Sequence, residues 1–215
     1  MKVTLTFDNG PTPGITEGVL DILRQRDLRA TFFVIGAKLR DPAARALAVR
    51  ALGEGHRIGN HTLDHAVPLG AIDDPAEVVR QIDEAQLLLG DLGAGRLFRP
   101  YGAGGIIDER LLGPAGIDHL VRSAYTCVLW NVLPGDWRDP DGWVDAALDQ
   151  VAAGSWGSDD WPVVVVHDLP VGALPRLPEL LDRLDAAGAE PTLDLPESCV
   201  PIRRGRPTGS WALLG

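Results

Sequence analysis

Sulfur is scarce in this chain, with one methionine and two cysteines, Cys127 and Cys199, among 215 residues. Two cysteines cannot make the disulfide framework of a small secreted domain. Cys127 lies inside the apolar run Tyr125-Thr126-Cys127-Val128-Leu129-Trp130, where a buried reduced thiol is the simplest reading. Positive charge is in deficit: 20 Lys and Arg stand against 30 Asp and Glu, a formal charge of −10. Such a balance repels phosphate backbones and anionic lipid heads, and no basic run is long enough to override it, so neither nucleic acid nor a membrane is expected as a partner. No apolar stretch reaches the roughly 18 residues of a membrane span. Residue 1 leads directly into a strand-like run without the basic and apolar regions of a leader, which gives the expectation of a soluble, cytoplasmic protein.

What is present suits a single globular domain over 1–215. The chain is 45% hydrophobic and 23% charged, long enough to bury a full core. Runs rich in Val, Ile, Thr and Phe, at about 3–7, 30–35, 57–60, 96–99, 125–130 and 162–166, alternate with amphipathic stretches at about 15–26, 42–54, 75–90, 140–153 and 176–187. That alternation is the pattern of parallel β/α units. Asp41-Pro42, Asp74-Pro75 and Asp139-Pro140 read as helix starts, because an Asp accepts an orphan amide and a proline at the first helical position loses no hydrogen bond. Between 105 and 122, Asp108-Glu109-Arg110-Leu111-Leu112 reads as a short helix broken by Gly113-Pro114 and Gly116, within one further β/α unit. After Gly188 the pattern fades into prolines and Arg203-Arg204-Gly205-Arg206, giving a last strand or an extended tail over 188–215. No internal repeat or linker interrupts the chain.

Asp8, His61, Arg99, Asp136 and His167 fall at or just beyond the C-terminal ends of apolar runs. In a β/α barrel all strands point the same way, so these five segments would share one mouth. His61 and His65 are four apart; on one helical turn both imidazoles could converge on a single ion, while Asp8 offers a carboxylate to act on a water bound there. The competing reading of the pair is a polar turn or a satisfied buried imidazole, and Asn9-Gly10-Pro11 alone is simply a turn. His56 and His119 lack such a partner and read as structural. Asp64 is either an acceptor behind the pair or a solvent-facing charge. Five of the six tryptophans crowd into 32 residues, where core or lid packing explains most of them, and Trp137 alone is singled out.

Taken in order, Thr6-Phe7-Asp8-Asn9-Gly10-Pro11, Ala30-Thr31-Phe32-Phe33-Val34-Ile35-Gly36, Gly59-Asn60-His61-Thr62-Leu63-Asp64-His65, Arg99-Pro100-Tyr101-Gly102, Asp136-Trp137 and Val166-His167 resemble the polysaccharide deacetylases of the NodB-homology family, family 4 of the carbohydrate esterases. The likeness spans roughly residues 3–187. It implies an α/β fold, a distorted, TIM-barrel-like (β/α) barrel with about seven parallel strands, and removal of acyl groups from N-acylated sugars. It implies Asp8 as general base, Arg99 as the group holding it, and Tyr101 as the residue whose backbone amide steadies the oxyanion and whose ring borders the substrate. Asp136 would orient His167, the general acid, and Trp137 would wall the acyl pocket. His61 and His65, with Asn9, would hold a divalent ion, zinc first and cobalt or nickel as alternatives.

The chain departs from the family pattern at two points. Asn9 stands where a second, metal-binding aspartate is usual, and its neutral amide oxygen removes one full charge from the coordination shell. One residue is also missing between Arg99 and Tyr101 relative to the usual spacing. Rival readings are a cytosolic amidase or deformylase acting on a small N-acylated compound, a catalytically silent carbohydrate-binding protein, and a scaffold barrel with no chemistry. Retention of Asp8, Arg99, Asp136 and His167 together argues against the silent binder, since pure binding needs no base, orienter and acid.

Overall fold

A computed structural model describes residues 1–210. The chain alternates β1 (Lys2–Asp8), α1 (Thr16–Gln25), β2 (Thr31–Val34), α2 (Pro42–Gly53), β3 (Arg57–Asn60), α3 (Pro75–Leu89), β4 (Leu97–Phe98), α4 (Gly113–Arg122), β5 (Thr126–Cys127), α5 (Trp143–Ala153), β6 (Val163–His167) and α6 (Leu177–Ala186). Three short strands follow: β7 (Glu190–Pro191), β8 (Ile202–Arg203) and β9 (Arg206–Pro207). The sheet order is β6-β1-β2-β3-β4-β5-β8-β9, with β7 off this path, paired with Lys2 and Val3 at the start of β1. All pairings from β6 to β5 are parallel, as is β1 with β7, while the β8–β9 hairpin joins β5 antiparallel. Seven strands are therefore parallel, as expected of a distorted (β/α) barrel. The ring is not closed by a ladder: a single parallel bridge, Val132 to Val164, links the segment after β5 to β6.

Residue chemistry explains why these strands sit centrally. Val163 to His167 are all buried, apolar on both faces as a strand covered by helices requires. β1 buries every residue from Val3 to Asp8. The larger core cluster gathers Leu5, Phe7, Val164 and Val166 with Leu20 and Leu23 of α1 and Leu177, Leu180 and Leu184 of α6. A smaller one joins α3 and α4 to β4, β5 and β8 through Ile82, Leu120, Phe98, Cys127 and Ile202. Truncating a fully buried leucine such as Leu23 to alanine costs about 2–5 kcal/mol. Both cysteines are buried free thiols, which for Cys127 is the reading its apolar run suggested.

Two of the three Asp-Pro helix starts form as drawn: Asp41 accepts from the Ala43 N–H and Asp74 from the Ala76 N–H, each at 2.9 Å. The third differs. Asp139 Oδ1 accepts from the Gly142 N–H inside a turn, and the helix begins only at Trp143. Gly113-Pro114 also reverses its expected role. It opens α4 instead of breaking a helix, since a proline in the first turn has no hydrogen bond to lose, and residues 108–112 form only turns. Among the described residues no helix is long and apolar enough to cross a membrane. The tail resolves into β7 and the β8–β9 hairpin; residues 211–215 of that expected segment lie outside the described residues.

Candidate active site

Asp8 and His167 end the two central strands and are register partners, Asp8 on β1 beside His167 on β6. Their side chains open into a cavity of about 330 Å³ that is also lined by Asn9, His61, His65, Tyr101, Trp130 and Trp137. The segments expected to meet at one mouth do so, with a division of labour. Arg99 and Asp136 are fully buried and stand behind the cavity wall, while the groups they hold face it.

Arg99 Nη1 donates to Asp8 Oδ1 at 2.8 Å and to Thr6 Oγ1 at 2.7 Å. Its Nε and Nη2 reach the carbonyls of Val128 and Leu129, and its guanidinium lies 4.1 Å from the centre of the Phe33 ring. A buried arginine with this many acceptors is fixed in place, and removing the carboxylate of such a pair typically costs about 3–5 kcal/mol. Asp8 Oδ1 is thereby committed to Arg99, while Oδ2 lies 3.7 Å from His61 Nε2 on the cavity side.

Asp136 Oδ1 faces His167 Nδ1 at 2.8 Å, and Asp136 Oδ2 accepts from the His167 backbone N–H, also at 2.8 Å. That geometry assigns the proton on Nδ1 and leaves Nε2 toward the cavity. Burial alone would pull the imidazole down, but the hydrogen bond and charge of Asp136, with Asp8 and Asp168 adding to it, raise its pKa above the ordinary histidine value. Trp137 packs edge-on against His167, ring centres 4.6 Å apart.

His61 and His65 converge, but not on a helix. Residues 61–65 form an irregular loop in which Thr62 and His65 adopt positive φ of 64° and 57°. Local hydrogen bonds hold this conformation: Asn60 Oδ1 accepts from the Thr62 N–H, and Gln81 Oε1 accepts from the amides of Leu63 and Asp64. The four-residue spacing was right about convergence and wrong about its cause. The rings stand 4.7 Å apart, with Tyr101 stacked 3.8 Å beyond His65. His61 Nδ1 donates to the Arg99 carbonyl at 2.8 Å, which leaves the Nε2 lone pair toward the cavity. Burial lowers the His61 pKa, and it takes His65 down to about 2 with help from the neighbouring His61 and His167, so both rings are neutral donors.

The third expected ligand, Asn9, has φ of 76°, a left-handed conformation that asparagine tolerates better than most residues. Its Oδ1 is buried without a hydrogen-bond partner among the described residues. An orphaned amide oxygen beside two neutral imidazoles fits a divalent cation, although no cluster of three His, Cys, Asp or Glu side chains capable of holding a metal forms among the described residues. The donor set is thus two nitrogens and one neutral oxygen, weaker than a set with a carboxylate.

Other expectations resolve plainly. His56 accepts from the Ala30 N–H, and His119 pairs with Asp83, both far from the mouth. Asp64 accepts from the Ala66 N–H and from Gln81 Nε2, so it shapes the loop instead of backing a histidine ring. Trp143 is core, and Trp161 lies at the opposite end of the barrel. Sequence reasoning passed over Trp130, Leu133, Leu169 and Val171, which complete the apolar lining; their position just after β5 and β6 was the available signal. Asp168, directly after His167, reads from sequence either as its neighbour at the mouth or as a helix cap. The structure buries this carboxylate completely, accepting from Thr16 Oγ1 at 2.6 Å and packed so closely against Gly10 that a Cβ there would overlap it. Burial pushes its pKa up to about 7.

Comparison with known proteins agrees with this geometry. The polysaccharide deacetylase family model matches residues 1–111. The chain is 30% identical over 193 residues to a peptidoglycan-N-acetylglucosamine deacetylase of Listeria monocytogenes, covering 88% of this chain but only 37% of that longer protein. It is 33% identical over 214 residues to a chitooligosaccharide deacetylase of Rhizobium leguminosarum, covering 97% of this chain and 84% of the relative. Among solved structures, the family 4 carbohydrate esterase from Streptomyces lividans in complex with acetate superposes with a TM-score of 0.71 at 27% identity, covering 93% of this chain and 95% of that one. The family model covers more than half of the chain, the relatives are named deacetylases and the solved structure shares the fold, and the chain belongs to the polysaccharide deacetylase family.

Proposed function

We propose that this chain hydrolyses the amide of an N-acylated sugar, releasing a short carboxylate such as acetate and leaving a free amine. One observation carries the reading: Arg99-held Asp8 and Asp136-held His167 stand side by side at one cavity, a fixed base next to a fixed acid. The deacetylase activities for which the relatives are named support the substrate class. His61, His65 and Asn9 are the residues that would hold a divalent ion, with zinc favoured by the nitrogen-rich donors and cobalt or nickel as alternatives. Such an ion, when bound, polarises the acyl oxygen and makes a water acidic enough to attack at neutral pH.

The rest of the chemistry belongs to the chain. Asp8 takes the proton of the attacking water through the oxygen not committed to Arg99. The Tyr101 N–H, which has no acceptor among the described residues, is available to the developing oxyanion. His167 delivers a proton from Nε2 to the departing nitrogen, and the Asp136 carboxylate behind it favours the protonated ring by raising its pKa. Trp130, Leu133 and Trp137 leave an apolar space suited to a small acyl group.

The decisive assay incubates metal-supplemented protein with N-acetylglucosamine oligomers and measures acetate. Release that disappears in Asp8→Asn and His167→Ala supports the reading. Oligomer binding with no release under zinc, cobalt or nickel overturns it in favour of a silent binder.

A further inference from the structure

The catalytic mouth lies at one end of the barrel, and the opposite end carries a charge pattern that the chemistry above does not use. Five arginines collect there: Arg57 at the start of β3, Arg96 just before β4, and Arg203, Arg204 and Arg206 on the β8–β9 hairpin beside β5. All five are exposed. Arginines elsewhere in this acidic chain are largely ion-paired, as Arg24, Arg26, Arg50, Arg80, Arg110, Arg176 and Arg183 are. None of these five makes an ion pair among the described residues. Arg57, Arg203 and Arg204 line an open cavity of about 790 Å³, whose carboxylates are Asp91 and Asp194, the latter already held by Lys2.

Two features of the hairpin run against its own stability. Arg203 and Arg206 are direct cross-strand partners, a like-charge pairing that destabilises an isolated hairpin. Arg204 takes φ of 51° in the two-residue turn with Gly205, a position that favours asparagine or glycine. Departures from local rules of this kind mark functional positions. The guanidinium groups are also partly oriented. Arg57 donates to the Leu193 carbonyl at 2.6 Å and Arg203 to the Leu195 carbonyl at 3.3 Å, so the segment after β7 holds both forks at the cavity while other N–H groups stay free. Planar forks of this type match the oxygens of phosphate and carboxylate groups.

We infer that this face binds an extended, flexible phosphate polymer that is not a nucleic acid, independently of the catalytic mouth. A row of arginines running from the cavity rim along the hairpin fits a strand better than a compact anion. The net charge of −10 conceals this local basic surface.

Long-chain polyphosphate is the probe, titrated against the full chain between about 50 and 200 mM salt. Binding is expected with a log-log salt slope near −3, given roughly 0.7 per neutralised phosphate. The variant Arg203→Gln/Arg204→Gln/Arg206→Gln is expected to bind at least about tenfold more weakly, with a slope reduced by about 2. A control replacing the ion-paired Arg24, Arg80 and Arg176 with Gln should bind as the parent does. Acetate release from a soluble N-acetylglucosamine trimer should be unchanged in the hairpin variant, and Asp8→Asn should still bind polyphosphate, so this inference and the catalytic reading fail separately. No binding by the parent, equal weakening in the control, or tighter binding to anionic phospholipid vesicles or to DNA than to polyphosphate overturns the proposal.

Discussion

Asp136 spends both carboxylate oxygens on one residue, accepting from the backbone N–H of His167 with one and facing its Nδ1 with the other, each at 2.8 Å. The strand end and the imidazole it carries are therefore positioned by the same group. This contact is the main upward influence on the His167 pKa, set against the downward pull of burial.

Asp136→Asn removes that charge, so the His167 pKa should fall. An acid with a raised pKa stays protonated above pH 6.5 and is lost as pH rises through its folded value. The alkaline limb of kcat against pH should consequently move to lower pH in the variant, with kcat reduced at neutrality. An unmoved limb would show that His167 is not the titrating acid.

Asp8→Asn should lower kcat by about 10²–10⁴, the usual contribution of a positioned general base. The amide oxygen can still accept from Arg99, so circular dichroism should report a folded protein. Turnover close to that of the parent would remove Asp8 from its role.

Asn9→Asp places a charge where a neutral oxygen is now orphaned. Zinc affinity measured by calorimetry should rise by at least about tenfold, equivalent to 1.4 kcal/mol. Unchanged affinity would mean that residue 9 does not contact the ion.

Asp168 is fully buried, and its pKa is raised to about 7 by that burial. A carboxyl group whose folded pKa exceeds its unfolded value favours the fold at low pH, and that contribution drains away between about pH 4 and 7. Asp168→Asn cannot titrate. Urea unfolding should show the variant gaining on the parent by a few kcal/mol between pH 5 and pH 8. Parallel stability curves for the two proteins would contradict the assigned burial effect.

Much of this site was legible because its residues follow apolar runs. Asp8, His61, Arg99 and His167 sit at strand ends, and strand ends in a parallel barrel converge whatever their distance in sequence. The Asp41-Pro42 and Asp74-Pro75 helix starts were equally local, each one side chain capping one amide. Misreadings arose where a local signal has two outcomes. Asp139-Pro140 caps a turn before the helix, Gly113-Pro114 starts a helix that it could as well have ended, and a four-residue histidine spacing suits a helical turn and a pinned loop alike. Asp168 could not be read at all, because Thr16 and Gly10, which define its surroundings, come from distant segments.

Where the ring lacks a ladder between β5 and β6, side-chain amides take over the work of a missing backbone. Asn131 accepts from the Val163 N–H and donates to the Trp161 carbonyl, and Gln150 both donates to and accepts from Leu133. Asn131 fastens the stretch carrying Trp130, Leu133 and Trp137 to the strand that ends in His167, and Gln150 fastens it to α5. The hoop therefore has a clasp beside the cleft, and loosening Asn131 or Gln150 should alter how wide a guest the cleft admits.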